Sequence, residues 1–130
     1  MTDDELVQAF ETATLAGDAF PHEAHVRVAW YYLTRYPMLT ALTRFRTALQ
    51  RFATAQGQPG RYHETITVAY MLIVADRLAD SRDLAWPAFA ARHADLLVRK
   101  PSALARFYSD ALIASDRARE VFVMPDRDGF

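Results

Sequence analysis

Tyr62-His-Glu-Thr-Ile-Thr-Val-Ala-Tyr-Met-Leu-Ile-Val74 is the stretch whose reading decides the fold. From Ile66 to Val74 only Thr67 interrupts the apolar run, so a helix here has no face to leave in water. A helix that is hydrophobic all round belongs inside a bundle. It is also too short, before polar Asp76 and Arg77, to span a bilayer. Its entrance nevertheless carries Tyr62, His63 and Glu64, a titratable cluster on the element expected to be most buried. The spacing predicts this helix over about Tyr62 to Ala79.

Upstream, Thr2 and Glu5 form a capping box, and Leu6, Phe10 and Ala13 follow at helical spacing. With Gly17 as the stop, a first helix is expected over Asp3 to Ala16. Pro21 opens a second, His22 to Arg35, ended by Tyr36-Pro37. Its core stripe is Val26, Ala29, Trp30 and Leu33. A third runs from Met38 to Ala55, with Leu42, Phe45, Leu49 and Phe52 inward and Arg44, Arg46 and Arg51 on the solvated side. Gln56-Gly-Gln-Pro-Gly60 is a loop.

Downstream the pattern breaks into short pieces: a helix from Trp86 to His93, another opened by Pro101, and a last one from Ser115 to Val121. Leu96 and Leu97 read as a buried anchor. No alternation persists long enough for a strand. The expected fold is all-α, a single helical domain over residues 1–130, with three long central helices and short C-terminal ones.

Composition narrows the function classes. Hydrophobic residues make up 52% and charged residues 24% of 130, an ordinary globular balance. The net charge is −1, and acids are interspersed among the fifteen basic residues, which argues against a nucleic-acid partner. Cysteine is absent, which removes disulfides and thiolate metal sites. The acidic start Thr2-Asp-Asp-Glu5 is unlike a signal peptide, so a cytoplasmic protein with no membrane partner is expected.

Short connections make neighbouring helices antiparallel, so the second and fourth run parallel and begin at the same end. Topology therefore places His22 and His25 on the same end as His63 and Glu64. Three readings follow. Imidazoles with one carboxylate are ligands that zinc, iron, manganese or nickel accept, and helix-borne ligands leave a position open for a small-molecule substrate. Without a metal, Glu64 with a raised pKa, together with His25 and His63, would move protons, although the helix dipoles oppose that shift. In the third reading the same residues serve packing: His63 bonds a neighbouring carbonyl and Glu64 matches a helix dipole.

Tyr62 and Thr67 are supporting residues in the first two readings; Thr67 alternatively bonds back to a carbonyl. His93 reads as a surface residue, Arg27 as a salt-bridge partner, and Asp126-Arg127 as a surface tail unless it folds back. The expected function is a small enzyme acting on a small molecule through this His/Glu site. The alternatives are a non-catalytic ligand- or metal-binding module and a structural protein with core histidines.

The blocks His22-x-x-His25-Val-Arg-Val-Ala-Trp30, Tyr62-His-Glu-Thr-Ile-Thr67 and Pro125-Asp-Arg127 resemble those of a family of small, uncharacterised bacterial proteins. The resemblance spans nearly the whole chain. It implies that His25, His63 and Glu64 lie in the blocks by which the family is recognised, and it brings no activity with it.

Overall fold

The computed structural model describes residues 1–130. Its first helix, α1 (Asp3–Glu11), opens on the expected capping box, with the Glu5 amide donating to Thr2 Oγ1 and the Thr2 amide donating back to Glu5 Oε1. It ends five residues before the expected Ala16. Ala13 adopts the left-handed conformation (φ 55°), the Thr14 amide bonds Ala9 O and the Ala13 amide bonds Phe10 O. That pair of bonds is a Schellman ending, normally reached by glycine. Gly17 instead begins a one-turn 3₁₀ helix to Ala19.

The next two helices match the sequence reading: α2 (His22–Arg35) and α3 (Met38–Ala55). A 3₁₀ turn at Pro59–Arg61 leads into α4 (Glu64–Leu78), with His63 as N-cap rather than as a helical residue. Then come α5 (Trp86–Arg92), 3₁₀ turns at Ala94–Leu97 and Ala103–Arg106, α6 (Asp110–Ile113) and α7 (Asp116–Glu120). The segment after Pro101 is thus a 3₁₀ turn followed by two short helices, each started by a serine N-cap, Ser102, Ser109 and Ser115 in turn. No helix is long and apolar enough to cross a membrane.

The fold is an all-α bundle with one core. Phe10, Phe20, Phe45 and Phe52 stack where α1, α2 and α3 meet, and Trp30, Trp86 and Phe89 fill the space between α2 and α5. Ala69, Met71 and Val74 of α4 are completely buried, but Ile66, Val68, Tyr70 and Leu72 are only half-buried, so the apolar run is not enclosed on every face as expected. Leu96 is buried as expected.

The contacts fix how α2 lies on α4. At one level the His22 ring meets the Tyr70 ring edge-on at 5.1 Å; further along, Arg82 Nη1 donates to Leu33 O at 3.4 Å. Both chains advance in the same sense between these levels, so the two helices are parallel. The register, however, is offset. His22 is level with Tyr70, seven residues beyond His63, which puts His63 roughly 10 Å further out along the axis at 1.5 Å per residue.

Candidate functional site

The polar side chains of the Tyr62–Thr67 stretch each have an internal partner. His63 caps its own helix: Nδ1 accepts from the Ile66 amide at 3.1 Å. A ring nitrogen that accepts leaves the proton on the other, and His63 Nε2 donates to Ile113 O at 2.8 Å. The neutral tautomer is thereby defined by both ends. Burial pushes the His63 pKa down, partly offset by the Ile113 carbonyl.

Glu64 points to α3. Arg46 grips it with both arms of the guanidinium, Nε to Oε1 at 2.9 Å and Nη2 to Oε2 at 2.6 Å, and the Tyr62 hydroxyl donates to Oε1 at 2.5 Å. Burial alone would raise the Glu64 pKa, but the hydrogen bonds from Arg46 and Tyr62 outweigh it and hold the carboxyl below its ordinary value. The raised pKa expected from burial is therefore not found, because Arg46 is half-buried on this pair rather than solvated. Burial and the bond to Glu64 push Tyr62 up to about 12.

Thr65 is completely buried and bonds the C-terminal segment twice, donating to Val121 O at 2.9 Å and accepting from the Val123 amide at 3.1 Å. Thr67 bonds back to His63 O at 2.8 Å. One stretch thus ties α3, the α6–α7 region and the C-terminal strap to the start of α4.

The α2 histidines are placed differently. His22 donates through Nε2 to Leu96 O at 2.9 Å, leaving Nδ1 without a partner. His25 stacks on Phe20, centroids 4.0 Å apart, and neither ring nitrogen makes a hydrogen bond of ordinary geometry. Its pKa falls to about 4, chiefly through burial, then through the charges of His22, Arg61 and Arg99; the nearby Phe20 carbonyl offsets part of this. The Tyr70 hydroxyl, in the same region, is enclosed without a hydrogen-bond partner, although Ser102 and the Ala103 backbone lie close to it.

Shared topology therefore brings His22 and His25 together but not with His63 and Glu64. The axial offset separates the two pairs, and their side chains engage different neighbours. No group of three or more His, Asp or Glu side chains is arranged to hold a metal ion.

Arg27 does form a salt bridge, to Asp3 at 2.7 Å. His93 is half-buried rather than a surface residue: Arg77 Nη1 faces its Nδ1 at 3.3 Å, and Ser81 Oγ lies 3.0 Å from its Nε2. A guanidinium only donates, so Nδ1 accepts and Nε2 donates to Ser81, whose hydroxyl goes on to Arg77 O at 2.6 Å. That polarity is opposite to nucleophile activation, and Ser81 is completely buried. Arg77 is also fixed by Asp95, at 2.7 and 2.9 Å, so the group closes the end of α4. The Asp126-Arg127 tail folds back, Asp126 bonding the Ser109 amide and hydroxyl and the Arg127 amide bonding Phe107 O.

A cleft of about 850 Å³ lies along α4, lined by Leu72, Ile73, Asp76, Arg77, Pro101 and Phe107 among others and by none of the four candidate residues. Sequence reading did not find it, because the residues after Pro101 that form its far wall carry no long-range signal. Compared with protein-family models, with curated proteins and with solved structures, the chain matches none.

Proposed function

We propose that this protein is a small-molecule-binding helical domain whose ligand sits at the first turn of α2, against His22 and His25. One observation carries the reading. Of the histidines and the glutamate singled out by sequence, only these two keep a ring nitrogen free of an internal hydrogen bond. A ligand there would find imidazole donors and acceptors without breaking the bonds that hold His63 and Glu64.

The narrower reading, an enzyme with a transition metal or a His/Glu acid–base pair at His22, His25, His63 and Glu64, asks more of the molecule. His63 would have to release both Ile66 and Ile113, and Glu64 would have to leave Arg46 and Tyr62. Breaking a half-buried, bidentate pair leaves a charge uncompensated. The charges of Arg61 and Arg99 near His25 also oppose a cation. Elemental analysis of the purified protein tests this reading: stoichiometric zinc, iron, manganese or nickel, lost on His25→Ala, would establish it against ours.

Ligand binding is tested by imidazole NMR with a mixed set of anionic, neutral and cationic fragments. Fragments that shift His22 and His25 while leaving His63 unmoved support the proposal. Fragments that shift only residues of the α4 cleft, or His63 and Glu64 together, refute it.

A further inference from the structure

The cleft beside α4 is a second place where a ligand fits, independent of the reading at α2. One wall is a strip of α4, with Leu72 and Asp76 one turn apart and Ile73 and Arg77 likewise. The facing wall is the 3₁₀ turn Ala103–Arg106, with Pro101 before it and Phe107 after it. The C-terminal strap braces that turn: the Arg127 and Asp128 amides donate to Phe107 O and Arg106 O at 2.9 and 3.3 Å, and Arg127 Nη1 donates to Ala105 O at 2.8 Å. The same strap brings Phe130 to the cleft, where its ring meets that of Phe107 at 5.2 Å and stays 55% exposed. About 850 Å³ between such walls is room for a small organic molecule.

The charges on the lining decide the sign of that molecule. Four charged side chains line the cleft: Asp76, Arg77, Asp95 and Arg106. Both arginines are engaged. Asp95 takes two bonds from Arg77, at 2.7 and 2.9 Å. Arg106 bonds Asp128 at 3.1 Å and rests over the Phe107 ring, 5.4 Å from its centroid. Asp76 is the one of the four with neither an ion pair nor a side-chain hydrogen bond. It also stands in the last turn of α4, where the carbonyl end of a helix favours positive charge. The neighbouring Arg99 and Lys100 do not line the cleft.

We propose that this cleft binds a small organic ammonium compound, its apolar body against Leu72, Ile73, Phe107 and Phe130 and its cationic head at Asp76. Burial of the body supplies most of the affinity, because an exposed ion pair adds little. Asp76 sets the order of preference: ammonium first, then the uncharged analogue, then the carboxylate.

The test titrates the intact chain at pH 7 with 3-phenylpropylammonium, 3-phenylpropanol, 3-phenylpropionate and propylammonium. NMR follows the Leu72, Ile73 and Phe107 amides together with the His22 and His25 imidazoles. The ammonium compound should shift the three amides and bind roughly three- to five-fold more tightly than the alcohol, with the carboxylate weaker still. Propylammonium, which lacks the ring, should bind at least about ten-fold more weakly than its phenyl analogue. Asp76→Asn and Phe130→Ala change exposed residues and should leave the circular dichroism unaltered. The first should abolish the preference for ammonium over alcohol without weakening the alcohol. The second should weaken both by a similar factor, roughly three- to ten-fold. A carboxylate that binds as tightly as the ammonium overturns the proposal, as does a cation preference that survives Asp76→Asn. So does propylammonium binding as well as its phenyl analogue, or a Phe130→Ala protein that binds both compounds like the parent. Shifts confined to His22 and His25 overturn it while the α2 reading stands; shifts confined to the cleft do the reverse. If no probe shifts any of these residues, the cleft proposal fails.

Discussion

Thr65→Val removes one oxygen from a site where nothing else takes its place. The Thr65 side chain is fully buried, and its hydroxyl satisfies the Val121 carbonyl and the Val123 amide of the C-terminal strap. Valine fills the same volume, so no cavity term enters. What remains is the desolvation of two backbone groups, each worth about 1–3 kcal/mol when buried and unpaired. Val121 is 49% exposed, so its carbonyl can turn to water, whereas Val123 is only 9% exposed and its amide cannot. The expected loss is therefore about 1–3 kcal/mol, that of the Val123 amide alone. With a urea slope of about 2 kcal/mol/M the unfolding midpoint falls by roughly 0.5–1.5 M. Trp30 and Trp86, both buried, provide the fluorescence signal. Thr65→Ser keeps the hydroxyl and loses a methyl, at about 1 kcal/mol, and should keep the Val123 amide slow to exchange. A Thr65→Val protein within about 0.5 kcal/mol of the parent, with Val123 exchange unchanged, would refute the claim that this stretch anchors the strap.

Other outcomes follow from the same geometry. His63→Ala loses a helix cap and orphans Ile113 O, so destabilisation of about 2–4 kcal/mol is expected by urea unfolding, and a near-neutral change would contradict the capping role. Met71→Asp, at a completely buried position, should leave no folded protein by circular dichroism; Leu72→Asp, half-buried on an open cleft, should fold. Stability should also depend on pH through His25. Its folded pKa of about 4 lies below the ordinary 6.5, so the unfolded chain binds more protons, and stability is full above about pH 6.5 and lost as pH falls toward 4. The loss reaches about 3 kcal/mol at most, His63 adds to it in the same direction, and His25→Gln should flatten the slope.

Local chemistry made the long helices readable. Tyr36-Pro37 stops α2 where expected, and the Gln56–Gly60 loop follows α3 as written. The errors arise where a local rule had a competitor. Ala13 took the left-handed ending usually left to glycine, which shortened α1, and His63 supplied a cap that periodicity read as helix. The C-terminal third is held by side-chain bonds to backbone from Thr65, His63, Tyr108 and Asp126, and such pairings leave no periodic trace.

The candidate site shows the same division. Connection lengths were enough to make α2 and α4 parallel. They carry no information on axial register, and that offset separates His25 from His63. Nor does a sequence reveal that Arg46, eighteen residues before Glu64, will hold it.

The central claim is a division of labour: His63 serves the fold, and His25 is free to meet a ligand. Long-range imidazole ¹H–¹⁵N spectra recorded from pH 4 to 8 read both residues in one experiment. The account predicts His63 as a fixed Nε2–H tautomer that resists protonation below the ordinary 6.5, and His25 as a neutral ring titrating near 4. If His63 exchanges tautomers and titrates freely near 6.5, or His25 and His63 shift together on addition of a metal ion, the division does not exist.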